Sequence, residues 1–211
     1  MDKLSAEEQL QQLSEIRSLM ERSSRFISLS GLSGVGAGIS ALLGAALAYW
    51  RIDVYSVPRS GVRYDAINTL KWELIGIAAA VLVLALSVGL FFTLREAKKQ
   101  GQSIWDKSSK QLIFNLLIPL ATGGAFCLIL IYHNMLWMVA PAMLIFYGLA
   151  LVNASKYTLQ DIRYLGFCEI ILGLLNGIWM NAGNGLLFWT IGFGILHIVY
   201  GISMHYKYNK D

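Results

Sequence analysis

The chain has 211 residues, of which 56% are hydrophobic and only 14% charged, and its formal net charge is +4. Soluble domains carry about 25% charged residues, so this composition excludes an ordinary soluble globular protein. In a membrane protein the distribution of Lys and Arg among the loops matters more than the net charge, so we expect no nucleic-acid partner.

Residues 1–25 are rich in Glu, Gln and Ser and precede the first long apolar run. Ser5 followed by Glu8 fits a capping box at the start of a helix. Apolar residues then recur at three- and four-residue spacing, which predicts an amphipathic helix: Leu10, Leu13, Ile16, Leu19 and Met20. This helix either lies on the bilayer surface or binds a cytoplasmic protein or a second copy of the chain through residues 4–25.

Residues 26–211 are predicted to form one transmembrane domain. A helix needs about 20 mostly apolar residues to cross a hydrocarbon core about 30 Å thick. Six stretches approach or exceed that length, which predicts an all-α, polytopic bundle of six transmembrane helices: 26–50, 74–94, 112–132, 135–152, 164–180 and 186–204.

The basic residues predict the orientation of this bundle. With six spans, 13 Lys and Arg residues fall in the segments on one side and four in those on the other. The positive-inside rule therefore places both termini in the cytoplasm. Aromatic residues at the predicted span ends indicate interfacial anchors that face the other side, including Trp50, Trp72, Trp137, Trp179 and Trp189.

Two pairs of glycines predict close helix packing. Gly34 and Gly38 lie four residues apart in the first span, and Gly173 and Gly177 do so in the fifth. Small residues at this spacing let two helix backbones approach each other. The partner helix belongs either to the same bundle or to a second copy in a homo-oligomer.

Polar side chains inside the predicted spans are the candidate functional residues. Glu169 and His197 are the acid and the imidazole placed clearly within spans, and such residues are functional candidates in membranes. Their similar depth on consecutive antiparallel helices predicts that they face each other or a shared polar neighbour. Asn115 and Asn176 are the next groups predicted to face this interior. The cluster serves either as a structural hydrogen bond or in proton or substrate handling.

Sequence motifs of catalysis, metal binding and nucleotide binding are absent from the chain. It contains no His-Glu-x-x-His, no Cys-x-x-Cys, no phosphate loop and no nucleophile elbow. We therefore expect no metal, no cofactor and no enzymatic activity. Acid–base chemistry at Glu169 and His197 would be the alternative, although no nucleophile accompanies them.

The stretch Glu15 to Gly34, with the sequence EIRSLMERSSRFISLSGLSG, resembles the opening of a group of small uncharacterised bacterial inner-membrane proteins. The resemblance implies a location in the bacterial cytoplasmic membrane and a six-helix layout, but it implies no activity, ligand or site residue. The leading functional hypothesis is a non-enzymatic sensor, scaffold or accessory subunit that is surrounded by membrane lipids and acts through partner contacts. The alternative is a small transporter or channel with a polar site between the fifth and sixth helices.

Overall fold

The computed structural model describes residues 11–12, 31–56, 64–99, 107–179 and 184–208. The long helices begin with α1 (Gly31–Ser56), α2 (Tyr64–Lys99) and α3 (Lys107–Tyr132). A 3₁₀ turn, Leu136–Met138, precedes α4 (Val139–Ala154), and α5 (Ile162–Ile178) follows. The last helical segment is continuous and is called the terminal rod: α6 (Asn184–Trp189), a π-helix (Thr190–Leu196) and α7 (His197–Tyr208).

Five helical segments in the described part of the chain are long and apolar enough to cross a membrane. They are Gly31–Val54, Asn68–Lys99, Ser108–Tyr132, Leu136–Ala154 and Asn184–Tyr208. The predicted fifth span, 164–180, corresponds to α5, which has 17 residues. The all-α fold and the membrane-spanning character of the chain therefore agree with the sequence prediction. The predicted amphipathic helix lies outside the described residues, apart from positions 11–12.

Helix α2 extends well beyond its predicted span of 74–94. It has 36 residues, which corresponds to about 54 Å at 1.5 Å per residue. This length exceeds the hydrocarbon thickness of about 30 Å. The hydropathy of the sequence locates the apolar centre of this helix but not its ends, because the polar residues at each end continue the same helix.

Helix α1 and the terminal rod form the centre of the bundle. α1 packs against α2 on one side and against the π-helix and α7 on the other. The rod also contacts α4 and α5, which pack extensively on each other, and α3 packs on α4. The apolar window of α2 has no buried residue. Its side chains are exposed as expected for a helix that faces lipid, including Leu82, Val83, Leu86, Leu90 and Phe91.

Glycines allow α1 to pack closely against the terminal rod. A Cβ atom at Gly34 would lie 3.2 Å from Gly201 Cα, and one at Gly38 would lie 2.7 Å from Gly194 O. Gly173 makes the corresponding contact with α4, where its Cβ would lie 3.0 Å from Pro141 O. These three glycines thus pack within the bundle.

Gly177 makes no such contact within the bundle, so its predicted role in helix packing stays a prediction for an interface with a second copy. A Cβ atom at this position would meet nothing within 4 Å, so no neighbouring helix requires a glycine there. The spacing of four residues placed it on the face of Gly173, but α4 does not extend along α5 as far as Gly177. A pattern of small residues indicates which face of a helix allows close approach. It does not show over what length a partner helix packs on that face.

The two ends of the bundle are fixed by different polar contacts. At one end, called the Asn134 end, Arg51 of α1 forms an ion pair with Glu73 of α2. Lys71 Nζ also donates to Asn134 Oδ1 at 3.0 Å, which joins α2 to the turn between α3 and α4. At the opposite end, called the Asp161 end, Lys207 Nζ donates to Asp161 at 2.8 Å.

Candidate functional site

Glu169 and His197 lie next to each other in the half of the bundle nearer to Asp161, as their depths in the sequence predicted. Glu169 Oε1 is 3.5 Å from His197 Nδ1. The side chain of Glu169 is 0% exposed and His197 is 6% exposed. Glu169 belongs to the buried face of α5, whose members recur at helical spacing: Leu165, Gly166, Glu169, Gly173 and Asn176.

His197 is held by two hydrogen bonds that define its tautomer. Its Nδ1 is 2.9 Å from the carbonyl oxygen of Gly192, which can only accept, so Nδ1 carries the proton. In the neutral ring Nε2 is then an acceptor. The Tyr147 hydroxyl donates to it at 2.7 Å. The imidazole is thus fixed between α4 and the π-helix.

The Glu169 carboxyl group has a different environment. Within the described part of the chain, neither of its oxygens has a hydrogen-bond partner, and both are fully buried. Oε2 lies against Gly192, where an added Cβ would come within 2.5 Å of it. A buried carboxylate without hydrogen bonds costs several kcal/mol or more, so this surrounding favours the uncharged acid.

The π-helix creates this arrangement. Such segments are rare, usually short, and frequent at functional sites. Here Gly192 and Gly194 are both buried in the segment, and the absence of a Cβ at Gly192 leaves room for the Glu169 carboxyl group. The segment also directs the Gly192 carbonyl toward His197, five residues later in the chain.

A row of aromatic rings runs along the terminal rod from His197 toward the Asn134 end. The ring of Phe193 lies 6.0 Å from that of His197 and 5.1 Å from that of Trp189. Tyr147 contacts both Phe193 and His197, with ring centroids 5.0 and 5.3 Å away. Trp189, which was predicted to be an interfacial anchor, is half-buried and packs on Phe193.

An apolar cavity of about 400 Å³ begins where this row ends. Residues from α1, α2, α4, α5 and the terminal rod line it, so it lies between α2 and α4. Trp137, Trp189 and Met143 contribute to the wall. Asn176 also lines the cavity, and it is 2% exposed. Its side-chain Nδ2 has no hydrogen-bond partner among the described residues.

The structure places Asn115 and Asn176 apart from the Glu169 carboxyl group. Asn115 donates to its own helix at Gln111 O, and its backbone and side-chain oxygens accept from Asn153 Nδ2 at 2.9 and 3.3 Å. Asn115 therefore joins α3 to α4, which corrects its predicted place in the cluster. Asn176 lies seven residues from Glu169, about 10.5 Å along α5, and belongs to the cavity.

The turn between α4 and α5 carries a separate polar contact at Asp161. Lys207 Nζ and Tyr208 Oη both donate to its carboxylate, at 2.8 and 2.6 Å. Burial alone would raise the pKa of Asp161, but these hydrogen bonds outweigh it and lower the pKa below its ordinary value. The contact fixes the end of the terminal rod against α5.

Sequence reasoning missed Tyr147, Gly192 and Phe193. Among the aromatic residues only those at the predicted span ends were given a role, whereas Tyr147 lies in the middle of α4, where a buried hydroxyl group needs a partner. The Gly-x-Gly interruption at Gly192 was a usable signal of irregular backbone in the last span.

In the described ranges, no group of three or more His, Cys, Asp or Glu residues could hold a metal ion. Comparison with protein families, with curated proteins and with solved structures finds no match to this chain.

Proposed function

We propose that this protein is a non-enzymatic, proton-linked transporter of a small solute, in which Glu169 binds and releases the proton. One observation carries the proposal: the carboxyl group of Glu169 is fully buried without a hydrogen-bond partner in the part of the chain that the structure describes. A carboxyl group that served only to join helices would be expected to use its oxygens in hydrogen bonds.

His197 supplies the second position that a proton carrier needs. Its Nδ1–H donates to Gly192 O, and Glu169 Oε1 is only 3.5 Å away. When Glu169 loses its proton, the negative charge attracts this N–H group. A small rotation of the imidazole would then break the bond to Gly192 O and form one to Glu169. The free carbonyl would destabilise the π-helix, which links the charge of Glu169 to the shape of the terminal rod.

The hydroxyl groups of Tyr147 and Tyr200 offer a route for the proton toward the Asp161 end. Both tyrosines pack against the same cluster of Leu151, Ile162 and Leu165. The Tyr200 hydroxyl has no hydrogen-bond partner within the described ranges. A buried hydroxyl group in this position can relay a proton through water or through a change of rotamer.

The proposal includes the finer topology predicted from the sequence. α5 would cross the membrane as the fifth of six spans, both termini would be cytoplasmic, and the membrane would be the bacterial inner membrane. Glu169 would then lie in the cytoplasmic half of the bilayer and the cavity in the other half. The alternative role as a sensor, scaffold or accessory subunit depends mainly on residues 4–25, which lie largely outside the described residues, and it stays a prediction.

The test uses the protein in proteoliposomes and needs no solute. A rapid change of pH should move charge at Glu169, measured as a transient current on a solid-supported membrane. Infrared difference spectra should show a carboxylic-acid band that titrates over the same pH range as the transient current. Glu169→Gln should remove both signals, whereas the matched variant Glu96→Gln, at the end of α2, should retain them. A carboxylic-acid band that is insensitive to pH, with no transient current, would show that Glu169 is structural.

A further inference from the structure

We infer that the cavity around Asn176 binds an uncharged molecule with an apolar body and a carbonyl-type hydrogen-bond acceptor. The inference deepens the proposed function, since it names the class of solute. The bound molecule is the transported solute only if the proposed function holds, but its binding can be measured without any proton movement.

The wall of the cavity determines the apolar part of the ligand. Its volume of about 400 Å³ falls in the range of small-molecule sites, which are mostly apolar with a few polar groups. The lining residues are mainly Ala, Leu, Ile and Val, with Trp137 and Trp189 as the large aromatic surfaces. The charged residues Glu169 and Arg51 do not line it. An ionic ligand would therefore lack a counter-charge in the wall.

Asn176 determines the polar part. Asn176 lines the cavity, and its Nδ2 is a buried donor without a partner in the described residues. A turn of the amide about its last side-chain bond would bring this donor to the cavity surface. An unsatisfied buried donor costs about 1–3 kcal/mol, which a ligand oxygen would recover on binding. Because an amide N–H only donates, the ligand group must be an acceptor, such as a ketone, ester or amide oxygen.

The extent of the lining limits the size of the molecule. On α1 it runs from Gly44 to Ile52, and on α2 from Leu74 to Val81. These eight and seven residue steps correspond to about 12 and 10.5 Å along the helix axes. A medium-length ketone fits this length. A bound molecule would contact Trp189, which packs on Phe193, and Phe193 in turn packs on His197 beside Glu169.

The experiment is photolabelling of the full chain in vesicles with a diazirine derivative of 2-nonanone, compared with the same diazirine on nonane. Mass spectrometry should find saturable labelling of the cavity wall, with the ketone preferred over the alkane by about fivefold or more, the value expected for one hydrogen bond. Asn176→Leu should reduce the preference to about one. Equal, non-saturable labelling by both probes would overturn the inference.

A pair of adjacent alanines on α2 provides the matched control. Ala78 lines the cavity, whereas Ala79, which is also exposed on the same helix, does not. Ala78→Leu should reduce ketone labelling severalfold by filling the space, and Ala79→Leu should leave it unchanged. If both variants label alike, the probe binds elsewhere and the assignment of the cavity fails.

Two further arms separate the possible sources of the ligand and the two proposals. Ester-linked phospholipids carry carbonyl acceptors and ether-linked ones do not. If only ester-linked vesicles weaken ketone labelling, the occupant is the uncharged ester region of a membrane lipid; if neither does, it is a free compound of the same chemistry. Ketone labelling should persist in Glu169→Gln. If the wild type is labelled specifically but shows no pH-driven current, proton linkage alone is rejected. If the wild type shows the current but no specific labelling, the cavity ligand alone is rejected.

Discussion

The Tyr147 hydroxyl donates a hydrogen bond of 2.7 Å to Nε2 of His197, a residue 50 positions later in the chain. The other ring nitrogen donates to Gly192 O at 2.9 Å. Three separate pieces of the fold, α4, the π-helix and α7, thus determine one imidazole tautomer. Glu169 lies beside this fixed ring and not within its hydrogen-bond chain, which leaves its carboxyl group available for a proton.

Replacement of Tyr147 by Phe should release the imidazole. The change removes the donor to Nε2 while the aromatic ring that packs on Phe193 remains. We expect a loss of about 1–3 kcal/mol in the free energy of unfolding, since a buried acceptor is left without a partner. In ¹⁵N NMR spectra of labelled histidine, the His197 tautomer should become mixed. Tyr132→Phe, at the exposed end of α3, should change neither measurement; an unaltered His197 spectrum in Tyr147→Phe would contradict the assigned hydrogen bond.

Replacement of Gly192 by Ala should displace Glu169. The added Cβ would lie within 2.5 Å of both Glu169 Oε2 and Leu144 Cδ2, and Leu144 is itself fully buried. We expect a destabilisation of about 1–3 kcal/mol from overpacking, together with a shifted carboxylic-acid band in the infrared spectrum. Gly124→Ala is the matched control, because a Cβ there meets nothing within 4 Å. It should be neutral or slightly stabilising, since Ala favours helix more than Gly does. Equal stability of both variants would show that the site tolerates the methyl group.

Replacement of Gly38 by Ala should weaken the contact between α1 and the terminal rod. The new Cβ would lie 2.7 Å from both Gly194 O and Ile198 Cγ1, so the two helices must separate. Thermal unfolding in detergent should show a lower Tm at an unchanged oligomeric state. Gly177→Ala should leave the Tm unchanged, because its Cβ meets nothing. If Gly38→Ala instead changed the oligomeric state without a lower Tm, this glycine would serve an interface between copies.

The contact at Asp161 should respond to acid. Its pKa is lowered in the folded protein, so its contribution to stability is complete above the ordinary Asp pKa of about 3.9 and is lost as the pH falls through the lower folded value. NMR amide shifts of the last turn of α7 should therefore change below about pH 4. Asp161→Asn should abolish this step, and Lys207→Gln should move it to higher pH, because the cation that stabilises the carboxylate is lost. Lys156→Gln, an exposed change elsewhere at the same end, should preserve it, and a step that survives in Asp161→Asn would assign the titration to another group.

The sequence alone predicted the parts of this protein that depend on distance along one helix. Apolar length predicts where the helices cross lipid, because a bilayer core requires about 20 residues. The meeting of Glu169 and His197 followed from their depths on consecutive antiparallel helices.

The rotation of each helix and the local change in its period were decided only by the tertiary structure. A helix that is apolar on all sides shows little periodicity from which its buried face could be read, so the contacts of Tyr147 and Trp189 with Phe193 could not be predicted from hydropathy. The π-helix rotates the residues beyond it relative to an α-helix and brings Gly192 O to His197. The sequence thus placed the acid at the correct depth, whereas packing decided which groups surround it and left its carboxyl group without a hydrogen-bond partner among the described residues.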